Sequence, residues 1–111
     1  MWYTIKNEKL EVDILERKEL IQIIKEHEKN IKSFGIDKIG IFGSYAKEMA
    51  NENSDIDILV KFKDVPRISK SYFGLKFYLE DLLQKKVDLC REKDLREELK
   101  EEILRSVIYV S

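Results

Sequence analysis

The sequence predicts an α/β (α+β) domain, a small mixed β-sheet flanked by helices. Three observations point there. Segments of helical and strand periodicity follow one another in the order helix, strand, strand, helix, strand, helix. The strand segments are short and rich in branched and aromatic residues. The chain has 111 residues, 43% hydrophobic and 39% charged. That length suits one domain with one core, and no linker, repeat or low-complexity stretch divides it. The whole of 1–111 therefore reads as a single domain.

Residues 1–12 carry a weak pattern and are assigned no element. Asp13 with Glu16 has the spacing of a capping box. Leu20, Ile24, His27, Ile31 and Phe34 then recur at helical spacing, which predicts a helix over about 14–33 that ends near Gly35. His27 lies beside its apolar face and reads as a boundary histidine rather than a ligand. Lys38 to Phe42 reads as a strand, broken by Gly43-Ser44. Tyr45 to Ala50 fits a short helix, and Asn51 to Ser54 a polar turn.

Asp55 to Phe62 alternates. Ile56, Ile58, Val60 and Phe62 fall on one face, and Asp55 and Asp57 fall together on the other. Lys63 to Lys70, with the only proline at Pro66, reads as a loop. Tyr72, Leu75, Leu79, Leu82 and Leu83 define a helix of about 71–84. Lys85-Lys86 is a turn into a strand, Val87 to Cys90. Leu95, Leu99 and Ile103 mark a last helix, about 93–105, whose charges from Glu92 to Glu102 form a solvated face. Val107 to Val110 suits an edge strand or an extended tail.

Composition excludes several classes of function. Lys plus Arg is 21 and Asp plus Glu is 22, a net charge of −1. A strongly basic nucleic-acid binder or a polybasic membrane-surface protein does not have this balance. No direct nucleic-acid binding is expected. One cysteine, Cys90, excludes an intrachain disulfide and a Cys-cluster zinc site. One histidine leaves little scope for a His-rich metal site or a Ser-His-Asp triad. No apolar run is long enough to span a bilayer, and the N-terminus lacks a signal-peptide core. A cytoplasmic location is the expectation.

The chemistry concentrates in carboxylates. Asp55 and Asp57 at i and i+2 on a strand point to one face, about 6–7 Å apart. Their neighbours Ile56, Ile58, Leu59 and Val60 look like an interior strand, where Asp is depleted. Two aspartates on one face of such a strand call for counter-charge, which a hard divalent cation supplies through carboxylate oxygens. Asp88 repeats the anomaly inside Val87-Asp88-Leu89. If that strand neighbours 56–62, three carboxylates converge, a set that suits two Mg²⁺ ions about 3.5–4 Å apart for in-line phosphoryl displacement. Gly43-Ser44, where a strand turns into a helix, adds backbone N–H groups, a hydroxyl and room for a phosphate.

The run Ile41-Phe42-Gly43-Ser44-Tyr45-Ala46-Lys47-Glu48, followed by Asn53-Ser54-Asp55-Ile56-Asp57-Ile58-Leu59-Val60, closely resembles the signature of the DNA polymerase beta-like nucleotidyltransferase superfamily. It is most similar to the minimal nucleotidyltransferase (MNT) branch, whose pattern is Gly-Ser-x-Ala-Arg-Gly, a spacer, then Ser-Asp-x-Asp. Val87-Asp88-Leu89 matches the place of the third carboxylate. The resemblance covers about 14–110 and implies the polymerase beta-like nucleotidyltransferase fold. Lys47 stands where the pattern has Arg, keeping the charge without the planar fork. Glu48 stands where the pattern has Gly, which sets a carboxylate near the phosphate loop and removes backbone freedom.

What the resemblance implies is specific. Asp55, Asp57 and Asp88 would be the catalytic and metal-binding residues, holding two Mg²⁺ ions. Asp88 would also help deprotonate the attacking hydroxyl. Gly43, Ser44 and Lys47 would bind the triphosphate of ATP. Chains of this kind resemble the antitoxin half of HEPN–MNT toxin–antitoxin pairs. That implies transfer of AMP from ATP to a tyrosine of a HEPN-domain ribonuclease toxin, silencing it. Two alternatives stand beside it: an antitoxin that masks its toxin by binding without catalysis, and a nucleotidyltransferase acting on a small hydroxylated molecule. The shortness of the chain favours a separate macromolecular acceptor over the latter.

Overall fold

A computed structural model of the chain describes residues 15–64 and 66–111. Its elements are α1 (Arg17–Glu26), α2 (Glu28–Lys32), β1 (Ile36–Phe42), α3 (Gly43–Ala46), β2 (Ile56–Phe62), α4 (Ile68–Leu83), β3 (Val87–Arg91), α5 (Glu97–Ser106) and β4 (Ile108–Tyr109). The sheet runs β3-β2-β1-β4. β1 is antiparallel to both β2 and β4, and β2 is parallel to β3. A parallel pair needs a long crossover, and α4 supplies it. The mixed sheet flanked by helices is the architecture expected from the order of periodicities.

One face of the sheet carries the core. Ile39 and Ile41 of β1, Ile56, Ile58 and Val60 of β2, and Val87 and Leu89 of β3 pack with Leu20, Ile24, Ile31, Leu75 and Leu79 of the helices, all buried. These helical residues are the i, i+4 stripes read from the sequence. The alternation in β2 holds, with Asp57 on the opposite face. Leu59 is buried there too, because this second face is partly covered, with Leu99 and Ile103 of α5 facing Phe42, Asp88 and Cys90 across a cleft. Gly40 lies on this face opposite Tyr109 of β4. A Cβ there would stand 2.9 Å from the Ile108 carbonyl oxygen, so the edge strand closes onto the sheet only over a glycine.

Several boundaries differ from the expectation. The single helix of about 14–33 is two helices, α1 and α2, broken at His27, whose φ of −110° and ψ of 17° leave the helical region. There the Ile23 carbonyl oxygen accepts from the His27 N–H at 3.2 Å and lies 2.9 Å from the imidazole Nδ1. The Asp13 half of the expected capping box lies outside the described residues. Glu16 instead caps α1, its N–H donating to the Glu19 carboxylate at 3.1 Å. The last helix starts at Glu97, not near 93. Residues Glu92–Asp94 form a 3-10 turn, clamped by Arg91 Nε to Asp94 Oδ2 at 2.6 Å. Leu95 and Arg96 are then extended. Val107 to Val110 does contribute an edge strand, and Lys85 does lie in a turn, donating to the Glu52 carbonyl. No helix among the described residues is long and apolar enough to cross a membrane.

Candidate active site

The sheet register brings two of the three aspartates side by side. Asp57 and Asp88 are paired across the parallel β2–β3 ladder, about 4.8 Å apart along the hydrogen-bonding direction. Asp57 is half-buried and Asp88 exposed. Two carboxylates so close resist double ionisation. Burial first, then the charge of Asp88, a hydrogen bond shared with Asp88 and the charge of Asp55 push Asp57 up to about 6. Asp55 lies just before β2 and is exposed. It contributes its field to the pair, but no three such side chains close into a complete cage among the described residues.

Gly43 completes the arrangement. It ends β1 at the point where Phe42 pairs with Asp57, and it has a φ of +69°. A side chain at this position would run into the Asp57 carboxylate. The glycine is therefore required twice, for its left-handed backbone and for the close approach of the turn to a carboxylate. Ser44 follows, half-buried, as the second residue of α3. Gly43, Ser44, Asp57 and Asp88 thus gather at one end of the sheet, as their spacing suggested.

Lys47 and Glu48 are each paired with a residue of another helix. The Lys47 ammonium lies 3.7 Å from Glu102 of α5. Glu48 takes up the left-handed conformation a glycine would favour, with φ +58°. Its carboxylate turns to Arg17 of α1 at 3.2 Å, on the side of α3 lined by Leu15, Tyr45 and Ala50. The same Arg17 donates to the Ala46 carbonyl at 2.8 Å, closing the end of α3. The carboxylate expected near the phosphate loop is thus drawn off by a guanidinium. Cys90 sits two residues beyond Asp88, half-buried, its Sγ 3.9 Å from an Asp88 oxygen. Burial first, then the charges of Asp88 and Asp57, push the thiol up to about 11, which disfavours the thiolate.

Beside Asp88 opens a cleft of about 620 Å³, walled by Phe42, Tyr72, Phe73, Leu99 and Ile103, with Arg96 at its margin. The sequence places Tyr72 on a helix but does not reveal this cleft, because its walls come from three separated segments. Tyr72 fixes it: its hydroxyl donates to the Leu89 carbonyl, next to Asp88. Chemically, the aspartates and Ser44 offer oxygen donors, and among the described residues no ion pair neutralises Asp57 or Asp88. That donor set fits a hard divalent cation such as Mg²⁺.

A strand-to-helix glycine-serine turn thus lies against a pair of strand aspartates. The chain belongs to the nucleotidyltransferase domain family, which matches residues 17–110. It is similar to the protein adenylyltransferase MntA of Thermococcus cleftensis, 40% identical over 98 residues, covering 87% of this chain and 98% of the relative. A minimal nucleotidyltransferase of solved structure is 31% identical with a TM-score of 0.75, covering 87% of this chain and 98% of the other. A chain from the complex of tri-AMPylated Shewanella oneidensis HEPN toxin with its MNT antitoxin shares the fold, with a TM-score of 0.52 at 21% identity over 86% of this chain and 68% of that one. The polymerase beta-like nucleotidyltransferase fold expected from the motif is thereby borne out.

Proposed function

We propose that this chain is a cytoplasmic, Mg²⁺-dependent protein adenylyltransferase that moves AMP from ATP to a tyrosine hydroxyl of a HEPN-domain toxin, and so acts as its antitoxin. The carrying observation is the Gly43 turn packed against Asp57, itself paired with Asp88, which sets a glycine-serine turn and a metal-type donor set side by side. The similarity to an MntA adenylyltransferase supports the choice of AMP transfer to protein. The complex of an AMPylated HEPN toxin with an MNT antitoxin supports the choice of partner.

Asp57 and Asp88, with Asp55 beside them, would hold the metal. When bound, Mg²⁺ neutralises the carboxylates and stabilises charge on the attacking and leaving oxygens. The Gly43 and Ser44 backbone and hydroxyl hold the triphosphate. Asp88 accepts the proton of the acceptor hydroxyl. The hydroxyl oxygen forms its bond to the α-phosphorus, and the bond to the bridging oxygen breaks as pyrophosphate leaves. In-line displacement puts nucleophile and leaving group on opposite sides of phosphorus. With the triphosphate at the β1 side, the acceptor enters from the β3 side, through the cleft of Tyr72, Phe73 and Leu99. Positioning and charge neutralisation supply most of the acceleration.

The test is transfer from ATP labelled on its α-phosphate, with Mg²⁺ and the cognate HEPN protein. Label appears on the partner with the wild type and is lost with Asp57→Ala. Full toxin neutralisation by Asp55→Ala/Asp57→Ala, without label, would instead establish masking.

A further inference from the structure

A second cavity, of about 540 Å³, lies toward the far ends of β2 and β3. Four lysines line it: Lys61 and Lys63 at the end of β2, Lys93 in the 3-10 turn, and Lys100 on α5. Only two carboxylates, Asp64 and Glu92, share its walls. Glu92 already accepts from the Tyr109 hydroxyl at 3.1 Å. Among the described residues, none of the four lysines makes an ion pair. Lys61 also stands directly opposite Lys38 in the β1–β2 register, a like-charge pairing that costs stability. Lys38 is drawn aside, its ammonium 5.3 Å from the centre of the Tyr109 ring. In a chain of net charge −1, this is a concentration of positive charge, in excess of the two carboxylates in its walls among the described residues.

The triphosphate held by Gly43 does not reach it. Lys61 is four residues beyond Asp57 on the same face of β2, about 13 Å away along the strand. Yet the cavity is not separate from the acceptor cleft, since Ile68 and Arg91 line both. The two cavities adjoin there, acidic at Asp88 in one and basic at the lysines in the other, so that a macromolecule seated in the cleft lies beside the lysine pocket. The pocket's one aromatic, Phe62, is half-buried. It offers no stacking platform of the kind single-stranded nucleic acid uses. Its charge complements carboxylates.

Resting on the adenylyltransferase reading above, we propose that the lysine pocket binds an acidic segment of the acceptor protein. That segment lies about 10–13 Å from the hydroxyl that takes AMP, three or four extended residues along the chain. The pocket thereby selects tyrosines followed or preceded by carboxylates and fixes the register of the acceptor in the cleft.

The probes are two fluorescein-labelled peptides, each with one tyrosine, one carrying a run of glutamates three residues away and the other glutamines. The acidic peptide should bind about tenfold more tightly at low salt, and the advantage should shrink as salt rises. Lys61→Glu/Lys63→Glu should abolish the preference, and so should Lys93→Glu/Lys100→Glu, which reverses charge on other elements. Thermal melts confirm that both variants fold. The melting shift produced by Mg²⁺ and ATP should be the same in wild type and variants. Equal binding of the two peptides, no binding of either, or a preference that survives both reversals overturns the proposal. So does a short single-stranded RNA that binds more tightly than the acidic peptide and is lost on reversal. If the acidic preference stands but Mg²⁺ and ATP shift no form of the protein, the adenylyltransferase reading fails and the acidic-segment site remains.

Discussion

Replacing Asp57 with Asn should make the metal-free protein more stable, although it removes a residue essential to the proposed reaction. In the folded chain Asp57 is pushed from 3.8 up to about 6. A shift of about two pH units corresponds to about 3 kcal/mol of unfavourable ionisation at neutral pH. Asp57 is only half-buried, so solvent screening reduces this to about 1–1.5 kcal/mol. The sign follows from proton linkage. Between pH 4 and 6 the unfolded chain has released this proton and the folded chain still holds it, so stability falls as pH rises through about 6. The Asn amide keeps the geometry, can donate to Asp88, and has no such slope.

Thermal unfolding in EDTA at pH 7.5 should therefore give Asp57→Asn a Tm higher by about 5–8 °C for a domain of this size. The gap should close near pH 4. With millimolar Mg²⁺ the order should reverse, because cation binding stabilises the wild type by mass action and the variant much less. A lower Tm for Asp57→Asn in EDTA at pH 7.5 would refute the electrostatic account. So would a gain of the same size at both pH values, because it would show that packing, not charge, sets the difference.

Gly43→Ala should abolish AMP transfer and lower stability by more than about 1 kcal/mol, since the new methyl meets the Asp57 carboxylate at a left-handed φ; chemical denaturation and the labelling assay read both. Glu48→Gly should raise stability by about 0.5–1 kcal/mol in denaturant titration, because relief of its left-handed backbone outweighs the exposed Arg17 ion pair. Tyr45→Phe should also stabilise, by about 1 kcal/mol, because the buried Tyr45 hydroxyl has no hydrogen-bond partner among the described residues; a loss of stability would mean that a partner outside them or an ordered water satisfies it. Leu79→Ala should cost about 2–5 kcal/mol in the same titration, as a fully buried leucine of α4.

Much of this molecule can be read along the chain because its signals are local. Period-two alternation placed Ile56, Ile58 and Val60 inward and Asp57 outward, and the structure agrees, since strand geometry leaves no other choice once one face is buried. The i, i+4 stripes found Leu20, Ile24, Leu75 and Leu79. Gly43-Ser44 announced a turn and Asp57 with Asp88 an electrostatic anomaly, before anything placed them together. Local chemistry also misled in places. His27 reads as a helical residue, yet its backbone leaves the helical region and the helix divides there. Glu48 reads as a carboxylate at the phosphate loop, yet Arg17, 31 positions away in sequence, draws it off.

The amino-acid sequence by itself determined the elements, the inward faces and the family motif, because each depends on a residue's immediate neighbours. Tertiary structure decided everything that depends on which strands lie side by side. The parallel register of β2 and β3 put Asp57 against Asp88 and set their shared proton. The antiparallel return of β1 put Gly43 over the Asp57 carboxylate. The placing of α5 over the second face, with the first turns of α4 beside β3, made the cleft at Asp88 and set it next to four lysines from three segments. Those contacts span tens of residues, and their energies arise only when the chain has closed on itself.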